Sequence, residues 1–317
     1  MKECFNEDNL WGIDFGGTKI EGVILHSAKK PEVIFRFRVK TESHLGYEHI
    51  LDQFSKLFNT MKEKAGYEPM VIGVGSPGTY IPQKNEMKNC NATVVNGKPF
   101  KDDLERKLGI EVILANDANC FALAETKIGI VQELYPAADV VFGVILGTGV
   151  GGGVVVRGEI INGKHGIGGE WGHNFLEEGG DSCYCGKSGC NEQVFSGPAL
   201  ERFYHRISGK KKTMQEISLL AESGIDPHAQ QTMDRLIHSF GKALSVVVNV
   251  IDPDVIVLGG GVSNIKQIYS DSLKTLNQMV FNRSFDAPLV KAKLGDSAGV
   301  FGAALLVGKE KSVYEEN

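Results

Sequence analysis

Apolar positions along this chain recur with two different periods. Short apolar runs, such as those at 11–15 and 255–258, have the length of buried strands. Segment 47–64 instead repeats apolar residues every three or four positions and carries charges on its other face, which is typical of an amphipathic helix. The two periods predict strands at 11–15, 20–25, 33–39, 70–74, 111–114, 140–146, 153–156 and 255–258, and helices at 47–64, 100–108, 117–125, 197–208, 213–222, 227–250, 265–279 and 299–309. Strands that alternate with helices predict an α/β fold.

Two glycine-rich strand–turn–strand segments divide the chain into halves. The first turn consists of Gly16, Gly17, Thr18 and Lys19, and the second begins with Gly147, Thr148 and Gly149. Because both halves open in the same way, we predict a weak internal repeat. The predicted domains are 1–115 and 116–298, and the last helix, within 299–317, is expected to complete the first domain.

The glycine turns are candidate phosphate sites. Backbone N–H groups that converge in such a turn can hold phosphate oxygens, since no Cβ keeps the ligand away. Thr18 and Thr148 add hydroxyl donors, and Lys19 adds a positive charge. A turn that only joins two hairpin strands is the alternative in each case. Gly259 and Gly260 follow another strand, where they either admit an adenosine group or form a plain turn.

Length and composition describe an ordinary globular protein. The chain has 317 residues, 42% of them hydrophobic, which suits two domains with a core each. A net charge of -5 argues against a nucleic-acid partner. No apolar run reaches the roughly 18 residues of a membrane span, and the first residues contain no secretion signal. The six cysteines form no disulfide framework, so we expect a cytoplasmic protein.

Three thiols and one imidazole cluster in the second half. They are His173, Cys183, Cys185 and Cys190, spaced H-x9-C-x-C-x4-C. Four such ligands close a tetrahedral, structural Zn²⁺ site and leave no open position for catalysis. Glu170 and Glu192 flank the cluster, and a zinc-bound histidine keeps one ring nitrogen free as a donor. We therefore interpret this segment as a rigid platform that presents acidic and N–H groups to sugar hydroxyls.

Two aspartates follow predicted strands. Asp14 precedes the first glycine turn and is a candidate for orienting Mg²⁺ on a nucleotide, or an ordinary turn carboxylate. Asp117, preceded by Asn116, begins a predicted helix, where the helix N-terminus favours its ionised form. It is either a general base or a helix cap, and local sequence alone favours the cap. Asn91 is a weaker candidate for a sugar contact.

Five motifs, in this order, make the chain similar to the ROK family of bacterial sugar kinases and sugar-responsive repressors. The motifs occupy 14–19, 115–119, 146–152, 169–173 and 183–192. Segments 88–93, 96–100, 169–174, 252–261 and 291–297 look most like the fructokinase (manno/fructokinase) branch. N-acetylglucosamine kinases of this family are similar but usually carry Phe where Trp171 stands. The chain departs from the family at Asn191, where an apolar residue is usual, and at Phe301, where close relatives can carry arginine.

The resemblance implies an actin-like ATPase fold, in which two α/β domains surround a cleft that closes on sugar and ATP. It implies that Asp117 is the general base toward the primary hydroxyl of the sugar. By the same similarity, the sugar hydroxyls are held by Asn116, Glu170, His173 and Glu192, and the phosphates by Thr18, Thr148 and their glycines. Gly260 is implied to lie near the adenosine. Members of the family are commonly homodimers.

The expected activity is therefore ATP-dependent phosphorylation of a hexose, with fructose as the first choice. N-acetylglucosamine, glucose and mannose remain open, because one carboxylate–imidazole platform accepts several sugars. A repressor of the same family is the main alternative from another class. Asp14 lies too near the start of this sequence for a preceding DNA-binding domain. A sugar sensor without catalysis is the third interpretation, and the presence of Asp117 argues against it.

Overall fold

We describe residues 9–308 in a computed structural model of the chain. One of the six cysteines, Cys4, lies outside these residues. So does residue 309, the predicted end of the last helix. The strands are β1 (Leu10–Phe15), β2 (Lys19–Leu25), β3 (Val33–Lys40), β4 (Val71–Ser76), β5 (Thr79–Ile81), β6 (Glu86–Lys88), β7 (Glu111–Asn116), β8 (Val140–Leu146), β9 (Val150–Val156), β10 (Glu159–Ile160), β11 (Val255–Gly259) and β12 (Leu289–Lys291). The α-helices are α1 (Tyr47–Ala65), α2 (Phe100–Leu108), α3 (Asp117–Lys127), α4 (Ile130–Leu134), α5 (Asn191–Phe195), α6 (Gly197–Ser208), α7 (Met214–Glu222), α8 (Pro227–Ile251), α9 (Gln267–Met279) and α10 (Ala298–Leu305).

Two five-stranded sheets carry the same topology. The first has the order β3-β2-β1-β4-β7 and the second the order β10-β9-β8-β11-β12. In each sheet an antiparallel hairpin, β1–β2 or β8–β9, is extended by parallel strands on one side. The predicted internal repeat and the mixed α/β class are therefore confirmed.

Three apolar cores hold the described residues together. The first core packs α1 and α2 against the first sheet, and the second core packs α6 to α9 against the second sheet. A central core contains α3 and α10 together with residues of both sheets, and Phe301 of α10 packs at its edge. Gly12 and Gly73 leave no room for a Cβ against Ala304 and Ala303, so α10 lies directly on β1 and β4. The assignment of this helix to the first domain and the domain boundary near residue 116 both stay predictions.

The glycine-rich strand β9 starts earlier than the sequence predicted. Its residues Gly152 and Gly153 were assigned to a turn or to the start of the strand, but the ladder with β8 runs from Val150 onward. A Cβ on Gly152 would lie 2.5 Å from the ring of Trp171, and one on Gly153 would lie 2.6 Å from the carbonyl of Ala118. These glycines therefore permit close packing on a strand rather than a turn. The short strands β5, β6 and β12 had no predicted counterpart.

None of the helices within residues 9–308 combines the length and the apolar composition that crossing a membrane requires.

Candidate active site

Two adjoining cavities lie between the carboxyl ends of the two sheets. The smaller measures about 220 Å³ and the larger about 680 Å³. Four residues line both: Pro77, Asn91, Asp117 and Ile145. The smaller cavity brings together the predicted sugar residues Asn91, Asn116, Asp117, Glu170, His173 and Glu192. The larger is lined by the predicted nucleotide residues Asp14, Gly16, Gly17, Gly259 and Gly260.

Asp117 is the first residue of α3 and stands on the wall between the cavities. The helix cap is Asn116, whose Oδ1 accepts from the N–H of Ala118 at 2.8 Å, and Asp117 Oδ1 accepts from the same N–H at 2.8 Å. Burial, followed by the nearby charge of Glu170, raises the pKa of Asp117 to about 6. A carboxyl group with this pKa is ionised at neutral pH and still basic enough to take up a proton.

Asp14 projects from the end of β1 into the larger cavity. Burial and the neighbouring charge of Asp117 raise its pKa to about 7. A Cβ on Gly299 would lie 3.1 Å from the Asp14 carboxylate, so the first turn of α10 packs tightly against it. Two carboxylates in one cleft raise each other's pKa, and a cation between them would favour both ionised forms. The hard oxygen ligands of Asp14 suit Mg²⁺.

Glu192 and Glu170 approach the smaller cavity from two separate segments. Glu192, in the first turn of α5, accepts a 3.0 Å hydrogen bond from the N–H of Val150 in the second glycine turn. A Cβ on Gly149 would lie 2.6 Å from the same carboxylate, so a side chain there would displace Glu192 from this position. Glu170 accepts from the Thr79 hydroxyl at 3.1 Å, and its other oxygen lies 4.0 Å from His173 Nε2. Thr79 thus holds Glu170, and the backbone of Val150 holds Glu192.

The four predicted zinc ligands meet at one place. Their ligand atoms all lie within 4.8 Å of one another. His173 Nδ1 lies 3.5 Å from Cys183 Sγ, and Cys185 Sγ lies 3.6 Å from Cys190 Sγ. The edges of a tetrahedral site with Zn–S bonds of about 2.3 Å measure about 3.8 Å. The donor set and its spacing fit Zn²⁺.

Tyr184, between two of the cysteines, is a cavity residue that the sequence interpretation missed. Its hydroxyl lies 3.0 Å from His173 Nε2, and the two rings meet edge to face at 5.1 Å. Since His173 turns Nδ1 toward the thiols, Nε2 is the nitrogen that carries the proton when Nδ1 binds a metal. Nε2–H then donates to the Tyr184 oxygen, and the phenol proton is left to donate into the cavity. The sequence signal that could have identified Tyr184 is its position between Cys183 and Cys185, because those cysteines were predicted to share a metal with His173.

Some predicted residues have other partners. Lys19 Nζ forms a 3.1 Å ion pair with the buried Glu21, which also pairs with Arg36 and Arg38. Neither Lys19 nor Thr18 lines one of the two cavities, whereas Gly147, Thr148 and Gly149 line the smaller one.

The three asparagines Asn91, Asn116 and Asn191 differ in their hydrogen bonds and in whether they line the cavities. Asn116, besides capping α3, donates from Nδ2 to the Gly78 carbonyl at 3.0 Å, so both ends of its amide already have partners in the protein. Asn91 lines both cavities. Asn191 is buried and donates to the Trp171 carbonyl at 2.7 Å. Asn191 is the residue at which the chain departs from the family pattern. Its side chain therefore links α5 to the turn that carries His173.

Comparison with known proteins identifies relatives over almost the whole chain. The ROK family profile matches residues 10–310. The chain is 36% identical over 308 residues to the N-acetyl-D-glucosamine kinase of Histophilus somni (strain 129Pt), covering 93% of this chain and 98% of that protein. Other relatives at 34–36% identity carry the same enzyme name. The predicted fructokinase branch is thus not confirmed.

Solved structures show the same fold. The ROK hexokinase from Thermus thermophilus superimposes with a TM-score of 0.82 at 32% identity, covering 94% of this chain and 97% of that one. A ROK family glucokinase from Streptomyces griseus, in complex with glucose and AMPPNP, has a TM-score of 0.74 at 27% identity, covering 94% and 98%. These neighbours confirm the predicted actin-like ATPase fold. The chain belongs to the ROK family.

Proposed function

We propose that this protein is an ATP-dependent sugar kinase that phosphorylates the primary hydroxyl of N-acetyl-D-glucosamine. The observation that carries the proposal is the position of Asp117 on the wall shared by the two cavities. One carboxylate can there contact a sugar in the smaller cavity while facing the phosphate end of a nucleotide in the larger one. The glycine-lined larger cavity is roomy enough, at about 680 Å³, for a nucleoside triphosphate.

In this proposal Asp117 accepts the proton of the attacking hydroxyl, whose oxygen then bonds to the γ-phosphorus of ATP as the bond to ADP breaks. Phosphoryl transfer passes through a loose transition state, so the protein contributes mainly position and charge. Glu170 and Glu192 orient the sugar, and His173 acts through the Tyr184 hydroxyl that it holds at the cavity. Holding both substrates in line removes much of the entropic barrier. Closing the cleft excludes water from the phosphoryl group.

Two metal ions fit the residues present. Magnesium bound with ATP offsets charge on the phosphate oxygens, and Asp14 would hold it. Zinc at His173 and the three cysteines would fix the segment that carries Tyr184 and leads into Glu192. Because four protein ligands would fill a tetrahedral site, this ion would have a structural role.

The names of the relatives, and not the identity of residue 171, support N-acetyl-D-glucosamine as the sugar. Its side chain is buried, donates from Nε1 to the Gly151 carbonyl at 2.9 Å, and packs edge to face with Phe142 and Phe240. Trp171 does not line the smaller cavity. The difference between Trp and Phe that favoured fructose therefore concerns core packing, whereas the names of relatives at 34–36% identity favour N-acetyl-D-glucosamine.

A coupled ADP-release assay with N-acetylglucosamine, fructose, mannose and glucose tests the proposal. We expect kcat/KM to be highest for N-acetylglucosamine. A higher value for another sugar would refute the substrate but keep the kinase. Absence of turnover with all four sugars, in protein that binds them, would refute the kinase and favour a sugar sensor. The Asp117→Asn variant provides the baseline for contaminating kinases.

The homodimer implied by the resemblance stays a prediction. Val246 and Val250 of α8 and the nearby Ile167 are exposed apolar residues on one face, and a second copy of the chain would cover them. Light scattering of the purified protein measures the mass directly.

A further inference from the structure

Glu125 is a fully buried carboxylate near the end of α3, outside both cavities. Its Oε1 accepts from the N–H of Leu294 at 2.8 Å, and its Oε2 accepts from Ile130 at 3.0 Å and from Lys293 at 3.1 Å. No lysine, arginine or histidine within residues 9–308 forms an ion pair with it. Backbone N–H groups from two separate segments thus hold this charge.

The position of Glu125 is unfavourable unless those contacts compensate for it. A negative charge near the carboxyl end of a helix faces the negative end of the helix dipole. A buried charge also loses its hydration and requires hydrogen bonds in return. Gly129 leaves space for the carboxylate, because a Cβ there would collide with Oε2. The side chain therefore serves as the fixed point for the backbone at 293–294.

That backbone leads directly to one wall of the larger cavity. Lys291, Ala292, Gly295, Asp296, Ala298 and Gly299 line the cavity on either side of residues 293–294. Gly299 meets the carboxylate of Asp14, as described above. A shift at 293–294 would therefore move the cavity wall and the contact with Asp14 together.

The same helix connects this wall to Asp117. Asp117 and Glu125 lie on α3 about 12 Å apart along its axis, at 1.5 Å per residue. Gly302 of α10 leaves no room for a Cβ against the Cys120 carbonyl, so α3 and α10 pack in direct contact. The single helix α3 thus carries the candidate base, Asp117, at its first residue. It carries Glu125, which holds the wall of the larger cavity, near its last residue.

We propose that Glu125 is a positioning residue for the nucleotide: its carboxylate fixes the 293–299 turn so that ATP is held in line with Asp117. The inference rests on the proposed function, because it assigns the larger cavity to the nucleotide. It predicts that loss of the Glu125 charge weakens nucleotide binding while the sugar site is retained.

Glu125→Gln is the direct test, because its NH₂ group must oppose at least one of the three backbone N–H groups. We expect the calorimetric Kd for MgADP and the KM for ATP to rise about tenfold or more, as loss of a hydrogen bond to a charged group predicts. The KM for the sugar should stay within about twofold, and Glu125→Asp should give an intermediate value because it keeps the charge with a shorter reach.

Glu133→Gln is the matched control. Glu133 forms an exposed ion pair with the side chain of Lys293, whose backbone N–H bonds to Glu125. Exposed ion pairs contribute little, so this variant should bind MgADP like the wild type. If Glu125→Gln fails to fold, Gly295→Ala strains the same turn, since Gly295 has φ +58° and open space where a Cβ would lie. It should raise the MgADP Kd with less effect on the sugar.

Each result separates the two proposals. Unchanged MgADP binding in folded Glu125→Gln, or equal losses for MgADP and sugar, would overturn the positioning role and leave the kinase proposal intact. If Gly295→Ala is used, unchanged MgADP binding has the same meaning. Failure of the wild type itself to bind MgADP would refute the nucleotide site and both proposals with it.

Discussion

The two five-stranded sheets share one topology but differ in what stands at their carboxyl ends. Asp14, next to last in β1, corresponds to Ile145, next to last in β8, and both line the larger cavity. The first sheet also leads into Asp117 after β7, whereas β11 of the second ends in Gly259. The shared topology thus places an aspartate at the end of β1 and an isoleucine at the equivalent position of β8. The candidate base and the candidate Mg²⁺ ligand therefore both follow strands of the first sheet, whereas the candidate sugar carboxylates Glu170 and Glu192 come from the second half.

The two glycine turns differ in the same way. The first is followed by Lys19, which is drawn into the ion-pair cluster around Glu21 and away from the cavities. The second is covered by Glu192, which binds the Val150 N–H at the point where Gly149 leaves space. Glu192, two residues after Cys190 of the His/Cys cluster, therefore supports the second turn. Variants in each half test this difference, and those in the first half should have the larger effects on activity.

Asp117→Asn removes the candidate base from the first half. We expect kcat to fall about a thousandfold or more, within the range of general-base catalysis, while sugar binding persists. Turnover by the coupled assay and sugar Kd by calorimetry provide the two measurements. Turnover within a few-fold of wild type would show that Asp117 is not the base.

Asp14→Asn removes the other carboxylate of the first half. We expect kcat/KM for MgATP to fall about a hundredfold, because the carboxylate that would hold Mg²⁺ at the phosphates loses its charge. The KM for the sugar should change little, since Asp14 does not line the smaller cavity. A loss of sugar affinity equal to that for MgATP would contradict the separation of the two sites.

The pH profile follows from the raised pKa of Asp117, about 6. A base acts only when ionised, so kcat/KM for the sugar should fall about tenfold for each pH unit below pH 6 and level off above it. The neighbouring Asp14 couples to this titration, so the apparent pKa belongs to the pair. A flat profile from pH 5 to 8 would count against the assigned base.

Removal of zinc, by chelation or by Cys185→Ser, acts on the second half. Losing one hydrogen bond to a charged group of the platform weakens sugar binding about tenfold or more. MgATP affinity should change less, because the larger cavity contains none of the zinc ligands. Calorimetry with each ligand measures both, circular dichroism checks the fold, and equal losses in a folded protein would oppose the assignment.

Tyr184→Phe gives the smallest predicted effect. It keeps the ring beside His173 but removes the hydroxyl that lies 3.0 Å from Nε2. One neutral hydrogen bond contributes about 0.5–1.5 kcal/mol, so the KM for the sugar should rise about two- to tenfold with kcat unchanged. An unchanged KM for the sugar would mean that the phenol only buttresses His173.

Local patterns predicted much of the fold. Helices such as α1 and α6 have the predicted bounds to within a residue, because their apolar spacing and their caps are set by neighbours in sequence. The three-residue strands β5, β6 and β12 were missed, since so short a segment carries no readable period. Gly152 resembled a turn residue because sequence does not record the Trp171 ring that approaches it.

By itself the sequence determined the cluster of one imidazole and three thiols, the two glycine turns and the α/β class, because each depends on residues close together in the chain. Tertiary structure alone decided which side chains share a cavity. It joined Asp14 to Asp117, Thr79 to Glu170 and Glu125 to the turn at 293–294, and it turned Lys19 toward Glu21. Such contacts join segments up to 169 residues apart. They follow from how two sheets and the helices between them pack, which no local period encodes.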